Sequence, residues 1–205
     1  ESLMPQIEFF FDLSSPWTRL AFENIQPIAQ ETGATVLWRP FLVGGVFNAV
    51  NEAVYQVRAD MSSPRYRNSW VWLKEWANLT GVPMNFPSEF HPLKSVAAMR
   101  CCCVLEDQQA DLFRFAGAAF EAYFGAQRNL DDPDVLISIA DSAGFDGRSL
   151  VAQSQQEAIK GRLRANTDEA IERGAFGSPT LFLERSRMYF GNDQLPLVRQ
   201  ALLQG

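Results

Sequence analysis

Near the start of the chain, two residues with hydroxyl side chains lie where a strand-like apolar run gives way to a helical pattern. Ser15 and Thr18 enclose a proline and a tryptophan, shortly after the strand-like run 7–11. Pro16 suits the first position of a helix, and the first turn of a helix offers unpaired N–H groups and the positive end of its dipole. A serine hydroxyl placed there can donate a hydrogen bond to an anion such as a thiolate. The alternative is that Ser14 or Ser15 only caps the helix, the commonest use of serine at this position.

The periodicity around these hydroxyls predicts a β-α-β unit. Downstream of Pro16, apolar residues recur every three or four positions until Gly33, a residue type that commonly ends helices. A second strand-like run spans 35–39 and is closed by Pro40. Two strands joined through a helix in this way pair in parallel.

The middle of the chain has a different pattern. We interpret the glycine-containing segment 43–46 as a loop, and helical periodicity without a convincing strand follows it. The predicted helices span about 65–80, 93–106, 111–125, 133–143 and 149–173. Strand patterns return at 180–183 and 188–190, joined by a charged turn as a hairpin, and a last helix is predicted at 193–203.

This order of elements is that of a thioredoxin fold interrupted by helices. We predict an α/β, thioredoxin-like fold with an inserted all-helical domain. Residues 1–44 and 174–205 would form the thioredoxin-like part, and 45–173 the insertion. The last helix of the insertion, about 149–173, would lead back to the sheet.

Composition narrows the class of partner. The chain has 205 residues, 47% of them hydrophobic, and a formal net charge of −6. Because nucleic acids and anionic membranes attract clustered cations, we expect neither as a partner. No apolar run approaches the roughly 20 residues of a membrane-spanning helix. The three cysteines form one uninterrupted run, 101–103, and no distant cysteine is available for a structural disulfide. We therefore expect the protein to reside in the reducing cytoplasm.

Several segments are shared with one enzyme family. The chain resembles 2-hydroxychromene-2-carboxylate isomerases and kappa-class glutathione transferases, whose fold is DsbA-like. The segments that carry the resemblance are Phe11-Asp12-Leu13-Ser14-Ser15-Pro16, Leu20-Ala21-Phe22-Glu23, Gly81-Val82-Pro83 with Phe86-Pro87, Ala98-Met99-Arg100, Gly174-Ala175-Phe176-Gly177-Ser178-Pro179-Thr180 and Phe190-Gly191-Asn192-Asp193. They cover nearly the whole chain, and their order and spacing together are specific.

The resemblance implies that the thiolate at this site belongs to glutathione. Thioredoxin-like enzymes carry Cys-x-x-Cys where this chain has Ser15 to Thr18, so both protein sulfurs are missing. Ser15 aligns with the serine that stabilises the glutathione thiolate in the family. Because a hydroxyl at Thr18 cannot resolve a mixed disulfide, dithiol exchange is not expected as the main activity. The alternative for Thr18 is a solvated residue of the first helical turn.

Other residues receive roles from the same resemblance. Ser178 and Pro179 match the cis-proline position, where Ser178 would bind the cysteinyl part of glutathione; an ordinary trans proline is the alternative. Asn192 and Asp193 would hold the γ-glutamyl end, although capping alone also accounts for both residue types. Two further predicted glutathione contacts are Asn51 and Arg65, and Arg65 stands where relatives have a lysine.

The remaining residues of interest have plainer interpretations. The aromatic residues at 70, 72 and 76 crowd one predicted helix, as a core or dimer-facing stripe or as the wall of an aromatic pocket. His91 is the only histidine, so no histidine-based triad or metal cluster is expected. The cysteines are interpreted as small packing residues, with a redox-sensitive thiol as the alternative.

The resemblance therefore implies a glutathione-dependent isomerase in aromatic catabolism. Glutathione would be a recycled nucleophile acting on an aromatic or chromene-type carboxylate, and the protein would be a homodimer, as relatives commonly are. Three alternatives stay open: a kappa-like transferase, a DsbA-type thiol-disulfide oxidoreductase, and a non-catalytic glutathione-binding protein.

Overall fold

A four-stranded mixed sheet organises the molecule. The computed structural model describes residues 4–205. The strands are β1 (Gln6–Phe11), β2 (Thr35–Pro40), β3 (Thr180–Leu183) and β4 (Arg187–Phe190), in the spatial order β2-β1-β3-β4. β1 pairs in parallel with β2 and antiparallel with β3, which forms a hairpin with β4. The predicted thioredoxin-like fold, with its β-α-β start and its final hairpin, is therefore confirmed.

Helices fill the rest of the chain. They are α1 (Pro16–Thr32), α2 (Val43–Val50), α3 (Ala53–Ala59), α4 (Pro64–Thr80), α5 (Val96–Leu105), α6 (Gln109–Phe120), α7 (Pro133–Ser142), α8 (Gly147–Ser154), α9 (Glu157–Glu172) and α10 (Leu195–Gln204). A π-helical turn, Glu121–Gly125, extends α6, and a 3-10 turn, Asn192–Gln194, precedes α10. No helix in residues 4–205 has the length and apolar character needed to cross a bilayer.

The predicted limits of α1 and α4 match the structure because local signals set them. Each helix begins with a proline after a serine that caps it, and each ends at a glycine with a φ of 72°, Gly33 and Gly81. A left-handed backbone costs glycine little, so these positions terminate helices. The division into 1–44 with 174–205 and 45–173 stays a prediction, and residues 1–3 of its first segment lie outside the described residues.

The expected loop at 43–46 is wrong: these residues open the helix α2. Its glycine at 45 lies against α9, where an added Cβ would sit 3.1 Å from Cγ2 of Thr167. Glycine therefore serves close helix packing here, and the Val43 and Val46 side chains are buried. α3 was not expected either, because none of its residues is buried and its apolar pattern is weak.

The single helix predicted over 149–173 is also wrong. The chain forms α8 and α9 instead, separated at Gln155 and Gln156. Gln156 adopts an extended backbone with ψ at 141° and restarts the helix, without a glycine or proline to mark the break. α5 begins only at Val96, three residues after the predicted start, because Ser95 has a left-handed φ of 63°.

Alternate residues of β1 pack on opposite faces of the sheet. Phe9 and Phe11 join the large core shared with the helices of the middle region, whereas Phe10 packs with Phe41 and Phe182 beneath α9. On that second side, ion pairs tie α9 to the sheet: Arg39 contacts Glu8 at 2.8 Å and Glu169 at 3.0 Å. These contacts fix β1, and with it the turn that leads into α1.

Candidate functional site

The Ser15 hydroxyl lies where the first helix meets the loop before β3. Its oxygen accepts a hydrogen bond from the Thr18 N–H at 3.2 Å, and the hydroxyl donates to the Ser178 carbonyl at 3.4 Å. Ser15 is thus the N-cap of α1, with extended backbone angles, and it is partly exposed. The capping interpretation holds, and it places the hydroxyl beside a segment 163 residues away.

The first turn of α1 can receive an anion. Pro16 has no N–H, the Thr18 N–H is taken by Ser15, and the Trp17 N–H finds no acceptor within residues 4–205. No acidic residue occupies this first turn. The positive end of the helix dipole and an unpaired donor therefore surround the Ser15 hydroxyl.

The Ser178–Pro179 peptide bond is cis, as the resemblance implies. The Ser178 side chain is 8% exposed, and its oxygen accepts from the Asp12 N–H at 3.1 Å and meets Thr18 Oγ1 at 2.7 Å. These bonds occupy the hydroxyl, so a ligand would meet the backbone of this residue. The Ser178 carbonyl faces Ser15, and no hydrogen bond of its N–H is seen in the described chain.

Thr18 is not a solvated residue, and that alternative is wrong. Its side chain is fully buried and its hydroxyl bonds the Ser178 hydroxyl. It therefore joins α1 to the loop before β3, in the position where a dithiol enzyme would hold its second sulfur. Spacing within the sequence carries no signal for this contact, because the partner lies 160 residues away.

Asp12 is a site residue that the sequence analysis missed. Its carboxylate accepts from the Ser14 N–H at 3.0 Å and from the Val43 N–H at 2.9 Å, and its carbonyl accepts from the Ser15 N–H at 3.3 Å. With the bond to Ser178, this one residue ties together the turn before α1, the start of α2 and the loop before β3. Burial raises the pKa of the Asp12 carboxyl, while the N–H bonds from Ser14 and Val43 oppose that rise. The available sequence signal was an acidic residue between apolar neighbours at the end of a predicted strand, since a buried carboxylate needs hydrogen-bond partners.

The Gly191–Asp193 segment borders the same loop. The Gly191 N–H donates to the Pro179 carbonyl at 3.2 Å. Asn192 is 2% exposed; its Oδ1 accepts from Asn24 at 2.8 Å, and its buried Nδ2 has no partner among residues 4–205. Asp193 is exposed at the start of the 3-10 turn. The Asn192 side chain is therefore part of the interior, and Asp193 is the accessible member of the pair.

The structure separates Asn51 from Arg65. The Asn51 amide donates to the Phe176 carbonyl at 3.0 Å, which brings it to the loop that carries Ser178. Arg65 is exposed on the first turn of α4, and within residues 4–205 no hydrogen bond or ion pair joins it to the other predicted residues.

An aromatic surface adjoins the start of α1. Trp17 and Phe86 pack against the same buried cluster around Leu20. Phe86 stacks on Trp70 with ring centroids 4.9 Å apart and meets His91 edge-on at 4.7 Å. Of the aromatic helix, Trp70 thus belongs to this surface, whereas Trp72 and Leu79 are 54% and 78% exposed on another face.

The three cysteines are buried on α5 and are free thiols. Burial raises the pKa of Cys101 to about 11 and that of Cys103 to about 12, and it raises the pKa of Cys102 well above its usual value. Since the thiolate is the reactive form, these groups are unreactive near neutral pH. The packing interpretation is favoured over the redox-sensitive one. No group of metal-ligating side chains occurs in the described residues.

The burial of the thiols gives a direct prediction. We expect iodoacetamide at pH 7 to leave all three cysteines unmodified in the folded protein and to alkylate all three after denaturation. Intact-mass spectrometry of both samples measures this. Rapid alkylation of the native protein would instead reveal a reactive thiol and revive the redox interpretation.

Comparisons with known proteins concern the family and the fold of the whole chain. The model of the DSBA-like thioredoxin domain matches residues 6–203. The chain is 26% identical over 203 residues to the 2-hydroxychromene-2-carboxylate isomerase of Sphingobium xenophagum, covering 96% of this chain and 97% of the relative. It is 24% identical to glutathione S-transferase kappa 1 of Caenorhabditis elegans, covering 98% and 92%.

A solved structure shares the whole fold. The structure of a 2-hydroxychromene-2-carboxylate isomerase superposes with a TM-score of 0.81 at 25% identity, covering 97% of this chain and 95% of that one. A probable DsbA oxidoreductase from Streptomyces coelicolor gives a TM-score of 0.77 at 19% identity, covering 98% and 89%.

Proposed function

The chain belongs to the DSBA-like thioredoxin domain family, and within that family we propose that it is a glutathione-dependent isomerase of 2-hydroxychromene-2-carboxylate or a similar aromatic carboxylate. The observation that carries the proposal is the Ser15 hydroxyl, which is placed at the amino end of α1 where this chain has no cysteine thiol. The relatives named as isomerases match this chain over nearly its full length and support the choice of reaction.

A thiol ligand fits this site better than a protein thiol. The cysteines of this chain are buried on α5 and bear raised pKa values, so they do not supply a thiolate. The Ser15 hydroxyl and the free Trp17 N–H are donors suited to a sulfur anion. The Ser178 backbone offers an N–H and a carbonyl that can pair with the cysteinyl unit of a peptide.

Bound glutathione would supply a nucleophilic thiolate, and its reversible addition to a conjugated carbon would allow rotation about the former double bond of the substrate. Ser15 stabilises the sulfur anion by turning its proton away from the Ser178 carbonyl. The 3.4 Å bond that it gives up is long, so this redirection costs little. The Thr18 N–H continues to hold the Ser15 oxygen in place.

The far end of glutathione would lie along the Gly191–Asp193 segment. Asp193 is exposed and carries the negative charge that an α-ammonium group requires. Asn51 donates to the Phe176 carbonyl in the loop that carries Ser178, and it would contact the peptide there. Arg65 would act only if a bound ligand extended to the first turn of α4. The surface of Trp70 and Phe86 would hold the aromatic ring of the substrate.

Product analysis tests the proposal. The purified protein is incubated with 2-hydroxychromene-2-carboxylate, with and without glutathione, and the mixture is separated by chromatography with mass detection. We expect glutathione-dependent conversion to an isomer of unchanged mass, with the glutathione recovered. A stable conjugate would indicate the kappa-like transferase, and insulin reduction in a parallel assay would indicate an oxidoreductase. Glutathione uptake without turnover of any aromatic electrophile would indicate a binding protein.

A further inference from the structure

The loop before β3 is held in place through its carbonyl groups. The Phe176 carbonyl accepts from the Asn51 amide at 3.0 Å, and the Gly177 carbonyl accepts from the buried Thr180 hydroxyl at 2.7 Å. The Ser178 N–H, in contrast, has no acceptor within residues 4–205. A peptide can pair with that N–H readily only if the backbone around it already has the required orientation.

The Phe190 ring rests directly on the backbone of Gly177. A Cβ added to this glycine would lie 2.6 Å from Cε2 and 2.9 Å from Cζ of the ring. Both distances are well inside the separation of about 3.5–4.0 Å that non-bonded carbon atoms prefer. Gly177 is not among the glycines with a positive φ, such as Gly174 and Gly191. Glycine is therefore needed here because the ring occupies the space of a side chain.

A second aromatic ring packs against Phe190. The centroid of the Phe176 ring lies 4.7 Å from that of Phe190, with the two planes 54° apart. The two residues are 39% and 37% exposed, and neither belongs to a core cluster of residues 4–205. Because rings this exposed gain only part of the free energy of burial, core packing does not account for their position. The contact that distinguishes them is the one with the loop.

This aromatic pair is continuous with the candidate site. Gly191 follows Phe190 and donates to the Pro179 carbonyl at 3.2 Å. The glycine beneath the ring immediately precedes Ser178, whose carbonyl faces the Ser15 hydroxyl at 3.4 Å. If the ring left this glycine, the backbone beside the free N–H would lose a contact that fixes it.

We propose that Phe190 is a positioning residue for glutathione: its ring, seated on Gly177, holds the Ser178 N–H and carbonyl in the orientation that would pair with the cysteinyl unit. This inference rests on the proposed function and adds a residue that acts without touching the sulfur. A peptide that pairs with an ordered backbone does not have to order the loop when it binds. Loss of the ring should therefore weaken glutathione binding.

Calorimetry of glutathione binding tests this role in a double-mutant cycle. We expect Phe190→Ala to weaken glutathione affinity by about tenfold, and Gly177→Ala to do the same because its Cβ displaces the ring. The double variant should bind about as weakly as either single variant, since both changes remove the same contact. Phe190→Leu keeps apolar bulk over the glycine and should retain part of the affinity.

Phe113→Ala is the matched control for the loss of a half-exposed ring. Phe113 lies on α6, is 36% exposed, and stacks on Phe22 with centroids 5.3 Å apart. We expect both alanine variants to lose a similar amount of stability in denaturant unfolding. Only Phe190→Ala should also lose glutathione affinity, which separates positioning of the loop from a general effect on folding.

The other outcomes overturn the proposal. Wild-type affinity in Phe190→Ala would remove the positioning role, and so would additive losses in the double variant or an equal loss in Phe113→Ala. Glutathione binding that depends on Phe190, found without any isomerisation, would reject the proposed function and leave the positioning role standing. Isomerisation together with unchanged affinity in Phe190→Ala would reject the positioning role alone, and a wild type that binds no glutathione would reject both.

Discussion

Replacing Ser15 by alanine is expected to lower turnover by about 100-fold while glutathione affinity changes little. The hydroxyl is the side-chain donor at the amino end of α1, and removal of one such donor from an anion site typically costs about two to three orders of magnitude. The thiol pKa of bound glutathione should rise by about one to two units, since each unit corresponds to about 1.4 kcal/mol of thiolate stabilisation. Ultraviolet absorbance of the thiolate, titrated against pH, measures this rise.

The capping bond must be separated from this chemical role. Ser15 also accepts from the Thr18 N–H, so the alanine variant should lose about 1 kcal/mol of stability. Ser14→Ala is the matched control, because its neighbouring hydroxyl does not cap α1. Ser15→Cys, incubated with oxidised glutathione, should form a mixed disulfide by thiol–disulfide exchange with release of one reduced glutathione, and should lose isomerisation. An alanine variant with normal turnover and an unchanged thiol pKa would contradict the assigned role.

Asp12→Asn is expected to destabilise the protein by about 3 kcal/mol and to reduce turnover as well. The asparagine amide would accept from only one of the Ser14 and Val43 N–H groups and would turn its own donor toward the other. Leaving a buried donor unsatisfied typically costs about 1–3 kcal/mol. Because Asp12 holds the turn before Ser15, misplacement of the hydroxyl should lower the turnover number more than it raises KM. Denaturant unfolding and steady-state kinetics measure the two effects.

The pH dependence of the Asp12 variant has a defined sign. Burial raises the folded-state pKa of this carboxyl, so its contribution to stability is complete below the unfolded pKa, near about 4, and falls as pH rises through the folded value. The stability deficit of Asp12→Asn should therefore be largest at low pH and shrink as pH rises. A deficit that grows with pH would show that the carboxylate, not the carboxyl, is the form favoured by folding.

The parts of the fold that were predicted correctly are those with local signals. Proline and glycine mark both ends of α1 and α4, and the charged turn marks the hairpin. α2 was missed because Gly45 serves close packing against α9, which depends on a residue more than 100 positions away. The break at Gln156 has no local signal, because neither a glycine nor a proline marks it.

The candidate site likewise contains residues that the sequence predicts and residues that only the structure reveals. Ser15 and the cis Ser178–Pro179 bond were expected from the resemblance, and the structure brings them together. The burial of Thr18, the enclosure of Asn192 and the joining role of Asp12 were not expected. Each depends on contacts across the sheet, whereas spacing along the chain reports only on neighbours in one element.

The strand order has a consequence for biosynthesis. β1 is central, yet its partner β3 is made about 170 residues later, so this half of the sheet cannot form while the chain is still emerging from the ribosome up to residue 180. Ser15, which would stabilise the thiolate, is translated early, whereas Ser178, whose carbonyl it faces, is translated late. Such distant pairings fold slowly, and a nascent chain stalled in its middle region would have no place to hold the tripeptide.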